Sequence, residues 1–261
     1  MSPKTNFKQK LKTSEPQLGL WVTLESPSIT EIAARMKLDW VVIDTEHGHL
    51  DYKEVLEHLR ALGGSQTIGL VRVQEIEQGV IKRVLDLGAD GIIIPQIRTV
   101  EEVELAVRFA KYPPRGIRGI GGERATAWGK NLAFASTGNE HTLVIPLIER
   151  LEAGHNIDAI MDVPGVDAFF FGPADYSASA GYPGQWEGPG IAEEILRVKE
   201  KILGRGYACG IMATDLANGQ KRIQQGFRLI GLAADAGLII RGITEMLQGL
   251  GKPLNPEVWK D

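Results

Sequence analysis

The sequence predicts a single-domain α/β protein folded as a closed (β/α)8 barrel over residues 1–261. Two observations predict it: eight short apolar runs recur along the chain, and segments with helical periodicity separate most of them without a break in composition. A third is the punctuation. Leu62-Gly63-Gly64, Leu87-Gly88-Ala89-Asp90, Gly204-Arg205-Gly206 and Gln225-Gly226 stand where a helix must end before the next strand, and glycine takes the left-handed conformation such ends require.

After an N-terminal extension (1–18), the first strand-like run is Gly19–Leu24, followed by helical spacing over Ile29–Met36. Trp40–Asp44 pairs with the helix Val55–Leu62, Thr67–Val73 with Val80–Leu87, and Gly91–Ile97 with Val100–Ala110. The second half repeats the pattern: Thr142–Glu149 then Ala153–Met161, Ala168–Gly172 then Ile191–Ile202, Ala208–Met212, and Phe227–Ala233. A last helix near Leu238–Leu250 precedes a proline-containing tail (251–261). The stretch Tyr112–Asn139 is too long for an ordinary connection and is expected to be functional. Lying between the fourth and fifth runs, it is expected on the rim where substrates bind.

With 29 Lys+Arg against 33 Asp+Glu the net charge is −4, and basic residues are scattered apart from Lys4, Lys8, Lys10 and Lys12. Nucleic acid is therefore not an expected partner. No run approaches the roughly 20 apolar residues of a membrane span, and those first lysines lack a signal peptide's apolar segment, so a cytoplasmic location is expected. The single cysteine, Cys209, excludes an internal disulfide and a cysteine-rich zinc site, and its apolar surroundings mark it as a small buried residue.

Two neighbouring runs end in a carboxylate: Leu143–Ile148 leads to Glu149, and Ala168–Phe171 leads through Gly172-Pro173-Ala174 to Asp175. Apolar runs of this kind are buried parallel strands whose last residues emerge at the rim that carries chemistry. Two close carboxylates are costly to ionise together unless a cation, a shared proton or ample water lies between them, and a divalent cation is the economical solution. Their hard oxygens favour magnesium or manganese over zinc. The alternatives are an ion pair of Glu149 with Arg150 or another basic side chain, and Asp175 as a cap of its own turn. Gly172, Pro173 and Ala174 are expected to offer backbone amides to a substrate oxygen.

The other strand ends supply Glu25, Asp44 with Glu46 and His47, Arg72, Gln96 and Asp235. Arg72 suits a carboxylate or a keto oxygen. His47, with Asp44 as the candidate partner of its ring, suits proton transfer. His49, His58, His141 and His155 are expected on the surface. The segment Gly116–Gly122 follows no strand and opens no clear helix, so it lacks the mechanics of a nucleotide cradle. No lysine stands at a strand end, which argues against Schiff-base aldol chemistry and leaves a metal as the electron sink.

With those residues in place, the chain resembles the HpcH/HpaI family of metal-dependent, pyruvate-specific aldolases over nearly its whole length. The carrying motifs are Trp40–His47, Val71-Arg72, Leu85–Ala89, Gly116–Gly119, Leu147–Glu149 and Phe171–Ser177. The resemblance implies Glu149 and Asp175 as ligands of a divalent metal (Mg2+, Mn2+ or Co2+), Arg72 on the keto acid, and Asp44 with His47 as the proton-transferring pair. It also implies Asp86 as a catalytic aspartate delivered by a neighbouring subunit, and a homo-oligomer, commonly a hexamer, with the eighth helix exchanged between partners. The implied reaction is reversible cleavage of a 4-hydroxy-2-oxo acid to pyruvate and an aldehyde through a metal-stabilised pyruvate enolate, in aromatic or sugar-acid catabolism. Gly121–Trp128 keeps the approximate layout of the family's acceptor loop, with Trp128 as a substrate contact, while Gly122 and Glu123 depart from it and leave the aldehyde open. Alternatives are an oxaloacetate decarboxylase, a citramalyl- or malyl-CoA lyase, for which no basic phosphate-binding cluster is evident, and a keto-acid-binding barrel without turnover.

Overall fold

The computed structural model describes residues 3–252. Eight parallel strands, β1 (Gln17–Val22), β2 (Trp40–Asp44), β3 (Ile68–Arg72), β4 (Gly91–Ile94), β5 (Leu143–Ile148), β6 (Ala168–Phe171), β7 (Ala208–Met212) and β8 (Leu229–Ala234), close into a barrel in chain order. The helices are α1 (Pro3–Lys10), α2 (Pro27–Arg35), α3 (Tyr52–Ala61), α4 (Gln78–Asp86), α5 (Val100–Ala110) and α6 (Phe134–His141) in the first half. The second half adds α7 (Leu151–His155), α8 (Ile157–Ile160), α9 (Pro173–Ser179), α10 (Ile191–Gly204), α11 (Leu216–Gln224) and α12 (Asp235–Gly249). The expected helix Ala153–Met161 is thus two short ones. Gln17 and Leu18 of the expected extension belong to β1, and residues 253–261 of the expected tail lie outside the described residues. No described helix is long and apolar enough to cross a membrane.

Strand parity builds two apolar layers. Val41 and Ile43 of β2, Val71 of β3 and Ile148 of β5 point outward to the helices, whereas Trp40, Val42, Leu70, Leu147 and Phe170 fill the barrel with Trp21. Phe7 and Leu11 join that inner cluster from the N-terminal mouth. Large inner rings face glycines: a Cβ on Gly19 would lie 2.0 Å from the Trp40 indole, and one on Gly210 would lie 2.3 Å from Phe170. The same parity carries Asp44, Arg72 and Glu149 to the axis at the C-terminal mouth. Asp44 and Arg72 are direct partners in the β2–β3 register, and Ile148 pairs with Phe171 immediately before Glu149 and Gly172.

The structure corrects the expected position of the long loop. Because α5 follows β4, residues 111–142 join a helix to a strand and lie at the N-terminal mouth, opposite the strand ends that carry chemistry. The loop is closed at its base. Asn139 accepts from the Tyr112 amide at 2.6 Å and donates to its carbonyl at 2.9 Å, and Lys111 Nζ donates to the carbonyls of Asn139 and Thr142 at 3.1 and 2.7 Å. A second correction concerns His58, which is fully buried, with Nδ1 2.7 Å from Thr30 Oγ1 and its pKa lowered by burial. It shares an inner helical face with Val55 and Leu59. Cys209 is buried as expected, and burial pushes its thiol pKa up.

Candidate active site

Asp44, 1% exposed, anchors the C-terminal mouth. Its Oδ1 accepts from Arg72 Nε at 2.9 Å and from the amides of Glu46 and His47 at 3.0 and 3.3 Å; its Oδ2 accepts from Trp21 Nε1 at 2.9 Å and from Arg72 Nη2. Five donors saturate a carboxylate that offers about four lone-pair sites. The expected partnership of Asp44 with the His47 ring is therefore not what this geometry builds: Asp44 holds the backbone of His47, whose side chain is exposed on the same rim. Trp21, which a search for polar strand ends passes over, also lies under Arg72, with the guanidinium carbon 5.2 Å from the ring centroid.

Arg72 Nη1 pairs with Glu46 Oε2 at 2.7 Å, without the alignment of a hydrogen bond. The Arg72 pKa is raised by the hydrogen bond and charge of Asp44, with Glu46 and Glu149 adding to them, against the opposing effect of burial. Two of its five N–H groups donate to Asp44 and Nη1 faces Glu46 through charge alone, which leaves Nη1 and Nη2 each with an N–H for a ligand.

Glu149, the residue after β5, is 1% exposed. Its Oε1 accepts from the Gln96 amide at 2.6 Å, while Oε2 is buried without a hydrogen-bond partner. Burial raises its pKa to about 7, with Glu46 and Asp175 pushing the same way and the Gln96 amide and Arg72 opposing. Asp175 is therefore close enough to be felt electrostatically. Arg150 does not neutralise Glu149; its Nε donates to Gln96 Oε1 at 2.6 Å. Gly172 keeps Glu149 uncrowded, since a Cβ there would stand 3.0 Å from Oε2.

Asp175 sits in the first turn of α9, where the positive end of the helix dipole favours its charge. The expected set of amides in this turn shrinks: Gly172 donates to the Ile148 carbonyl at 3.1 Å and Pro173 has no N–H, so Ala174 and Asp175 remain as helix-start donors. Asp235, another strand-end acid, serves the scaffold by accepting from the amides of Thr23 and Leu24 and from the Thr23 hydroxyl. Among the described residues no three His, Cys, Asp or Glu side chains converge as a metal centre.

Two expected site residues are not brought here. Asp86, at the end of α4, accepts from Arg118 Nη2 at 2.8 Å. Trp128, 70% exposed, belongs to the long loop. Both lie toward the N-terminal mouth of their own barrel.

A profile of the HpcH/HpaI aldolase/citrate lyase family matches residues 17–242. A hydroxypyruvate/pyruvate aldolase of Roseobacter denitrificans is 35% identical over 241 residues, covering 92% of this chain and 94% of the relative. A 4-hydroxy-2-oxovalerate aldolase of Rhodococcus jostii is 35% identical, covering 92% and 93%. Among solved structures, an HpcH/HpaI aldolase/citrate lyase family protein from Burkholderia cenocepacia superposes with a TM-score of 0.90 at 35% identity, covering 94% of this chain and 99% of that one.

Proposed function

The chain belongs to the HpcH/HpaI aldolase/citrate lyase family, and from that premise we propose that its C-terminal mouth cleaves 4-hydroxy-2-oxo acids to pyruvate and an aldehyde. It is a carbon–carbon lyase of the class II aldolase type. The observation that carries the site assignment is the buried, unpartnered Oε2 of Glu149 beside Asp175 and Arg72. An orphaned carboxylate oxygen, a pKa raised to about 7 and a second hard oxygen donor nearby suit a divalent cation of the magnesium, manganese or cobalt kind.

Glu149 and Asp175 would hold the cation, which supplies neutralisation of the negative charge that develops on the keto oxygen. The two uncommitted N–H groups of Arg72 bind the 2-oxo acid, and Asp44 with Trp21 fixes the guanidinium before substrate arrives. Ala174 and Asp175 offer amides to a carboxylate oxygen. His47 takes the proton of the C4 hydroxyl, the C3–C4 bond breaks as the aldehyde departs, its electrons remain on C3 of the pyruvate fragment, and a proton returned to C3 completes pyruvate. Condensation runs the same steps in reverse.

Asp86 and Trp128 reach such a site only from another copy of the chain, because their own barrel lies between them and Glu149. α12 supports an assembly of copies. Of its residues only Asp235 is buried, while Leu238, Ile239, Ile240, Ile243 and Met246 are exposed. The proposed state is a homo-oligomer with α12 exchanged.

The test is to incubate pyruvate and a panel of aldehydes with magnesium, manganese or cobalt and to identify products by mass. A metal-dependent 4-hydroxy-2-oxo acid is expected, and it should vanish in Glu149→Ala and Asp175→Ala. Unchanged metal affinity in both variants would sink the site. Release of carbon dioxide from oxaloacetate with no aldol product in any pairing would favour a decarboxylase instead.

A further inference from the structure

We infer that Gln96 is a positioning residue for Glu149, acting with Arg150 as a two-point clamp between the ends of β4 and β5; this rests on Glu149 being a ligand of the divalent cation. Gln96 follows β4 and stands at φ +56°, a left-handed conformation that glycine adopts freely and glutamine does not. That conformation directs its amide to Glu149 Oε1 at 2.6 Å. Its side-chain oxygen meanwhile accepts from Arg150 Nε at 2.6 Å. Consecutive residues of the next strand end thus meet one residue, the carboxylate of Glu149 at its backbone and the guanidinium of Arg150 at its side chain.

The consequence falls on Glu149. With Oε1 tied to Gln96, the carboxylate cannot rotate without losing a short hydrogen bond, so Oε2 is the oxygen left to face the mouth, and it is the one without a partner. Gly172 leaves open the space in which a Cβ would stand 3.0 Å from that oxygen. Outer partners that orient a ligating carboxylate set metal affinity nearly as strongly as the ligand itself. A turn that only had to change direction would be better served by glycine. Glutamine at this φ is explained if its amide must hold Arg150 and, through the fixed peptide plane, Glu149.

Titrating metal-free protein with manganese, followed by calorimetry and in parallel by thermal melts, tests the clamp. Gln96→Gly keeps the left-handed backbone and its N–H but cuts the tie to Arg150. It is expected to weaken manganese binding about ten-fold while the Tm stays level or rises, since glycine relieves the backbone. Arg150→Ala should weaken binding by a similar factor, and the double variant should be no weaker than either single one, as for residues acting in one unit. Parental manganese affinity in Gln96→Gly, or additive losses in the double variant, would overturn the clamp. Glu149→Ala separates the two readings. If manganese affinity survives there, the ligand assignment fails; if it is lost there and kept in Gln96→Gly, only the clamp fails.

Discussion

Asp44, 1% exposed, receives five donors, so its charge is spent on fixing Arg72, Trp21 and the start of the His47 turn. Its removal should then look like damage to Arg72. Asp44→Asn is expected to raise KM for the 2-oxo acid and to lower kcat/KM by about 100-fold, the scale of a misplaced binding group, with Arg72→Lys showing the same pattern. His47→Ala should instead lower kcat for aldol cleavage and spare decarboxylation of oxaloacetate. Steady-state kinetics on both reactions separates these outcomes. If Asp44→Asn instead spares decarboxylation as His47→Ala does, Asp44 serves the imidazole after all. At this scale the sequence yields residues more readily than their partners. Acids and an arginine at the ends of apolar runs point to the mouth because parity sends alternate side chains inward, but nothing in a strand pattern says that Asp44 takes a backbone amide of His47 rather than its ring. Trp21 is silent in the sequence for a related reason: an indole is mostly apolar, and its one N–H carries no charge to mark it. The burial of His58 is legible in the sequence, since Val55, His58 and Leu59 share the i, i+3, i+4 spacing of a buried helical stripe.

Two elements hold the mouth and the long loop in shape, and each can be tested alone. In α7, a Cβ on Gly154 would lie 2.1 Å from the hydroxyl of Tyr176, a fully buried ring of α9 packed edge-on against Phe171 with centroids 6.0 Å apart. Gly154→Ala should cost about 1–3 kcal/mol by overpacking. Because Tyr176 follows Asp175, the displaced helix should also weaken manganese binding. A melt and a manganese titration read both effects, and parental values in both would show that the site absorbs the methyl. At the base of the long loop, burial lowers the Lys111 pKa to about 8, with Lys8, Arg115 and Arg118 acting in the same direction and Asp167 opposing. Between about pH 8 and the ordinary lysine value of about 10.4, the unfolded chain carries a proton that the folded chain lacks. Stability should therefore rise with pH across that window, and the gain should be lost again as pH falls through about 8. Melts of the parent and of Lys111→Met from pH 7 to 10 should keep a constant difference below about pH 8 and shift in the parent's favour above it; parallel profiles throughout would sink the assignment. The loop also shows where element order outruns pattern. Strand-like runs and their helices were legible because β2, β3 and β5 are continuous apolar stretches between turn residues. The mouth that a connection occupies depends on whether a helix has already crossed back, and α5 had done so.

In the proposed assembly, completeness of the site is a property of more than one copy. Asp86, its partner Arg118 and the exposed Trp128 lie toward the mouth opposite Glu149, and α12 turns Ile240, Ile243 and Met246 to solvent instead of burying them on the barrel. A soluble chain rarely leaves so many large apolar side chains in one stripe unless another surface covers them. Replacing Ile240 and Ile243 together by aspartate should shift the protein toward monomers in sedimentation, with activity falling in step, because dissociation separates Asp86 of one copy from Glu149 of another. Mixing gives the sharper test. Glu149→Ala and Asp86→Ala chains should each be inactive alone, the first for want of the cation and the second for want of its aspartate. Co-refolded, they should regain activity, since a mouth with intact Glu149 can then receive intact Asp86 from its neighbour. A site built wholly within one chain has no such route, as every copy in the mixture would still carry one lesion. Absence of rescue in a mixture shown by native mass spectrometry to contain hybrid oligomers would therefore place Asp86 outside the catalytic mouth, and its ion pair with Arg118 would stand as a strut for the loop.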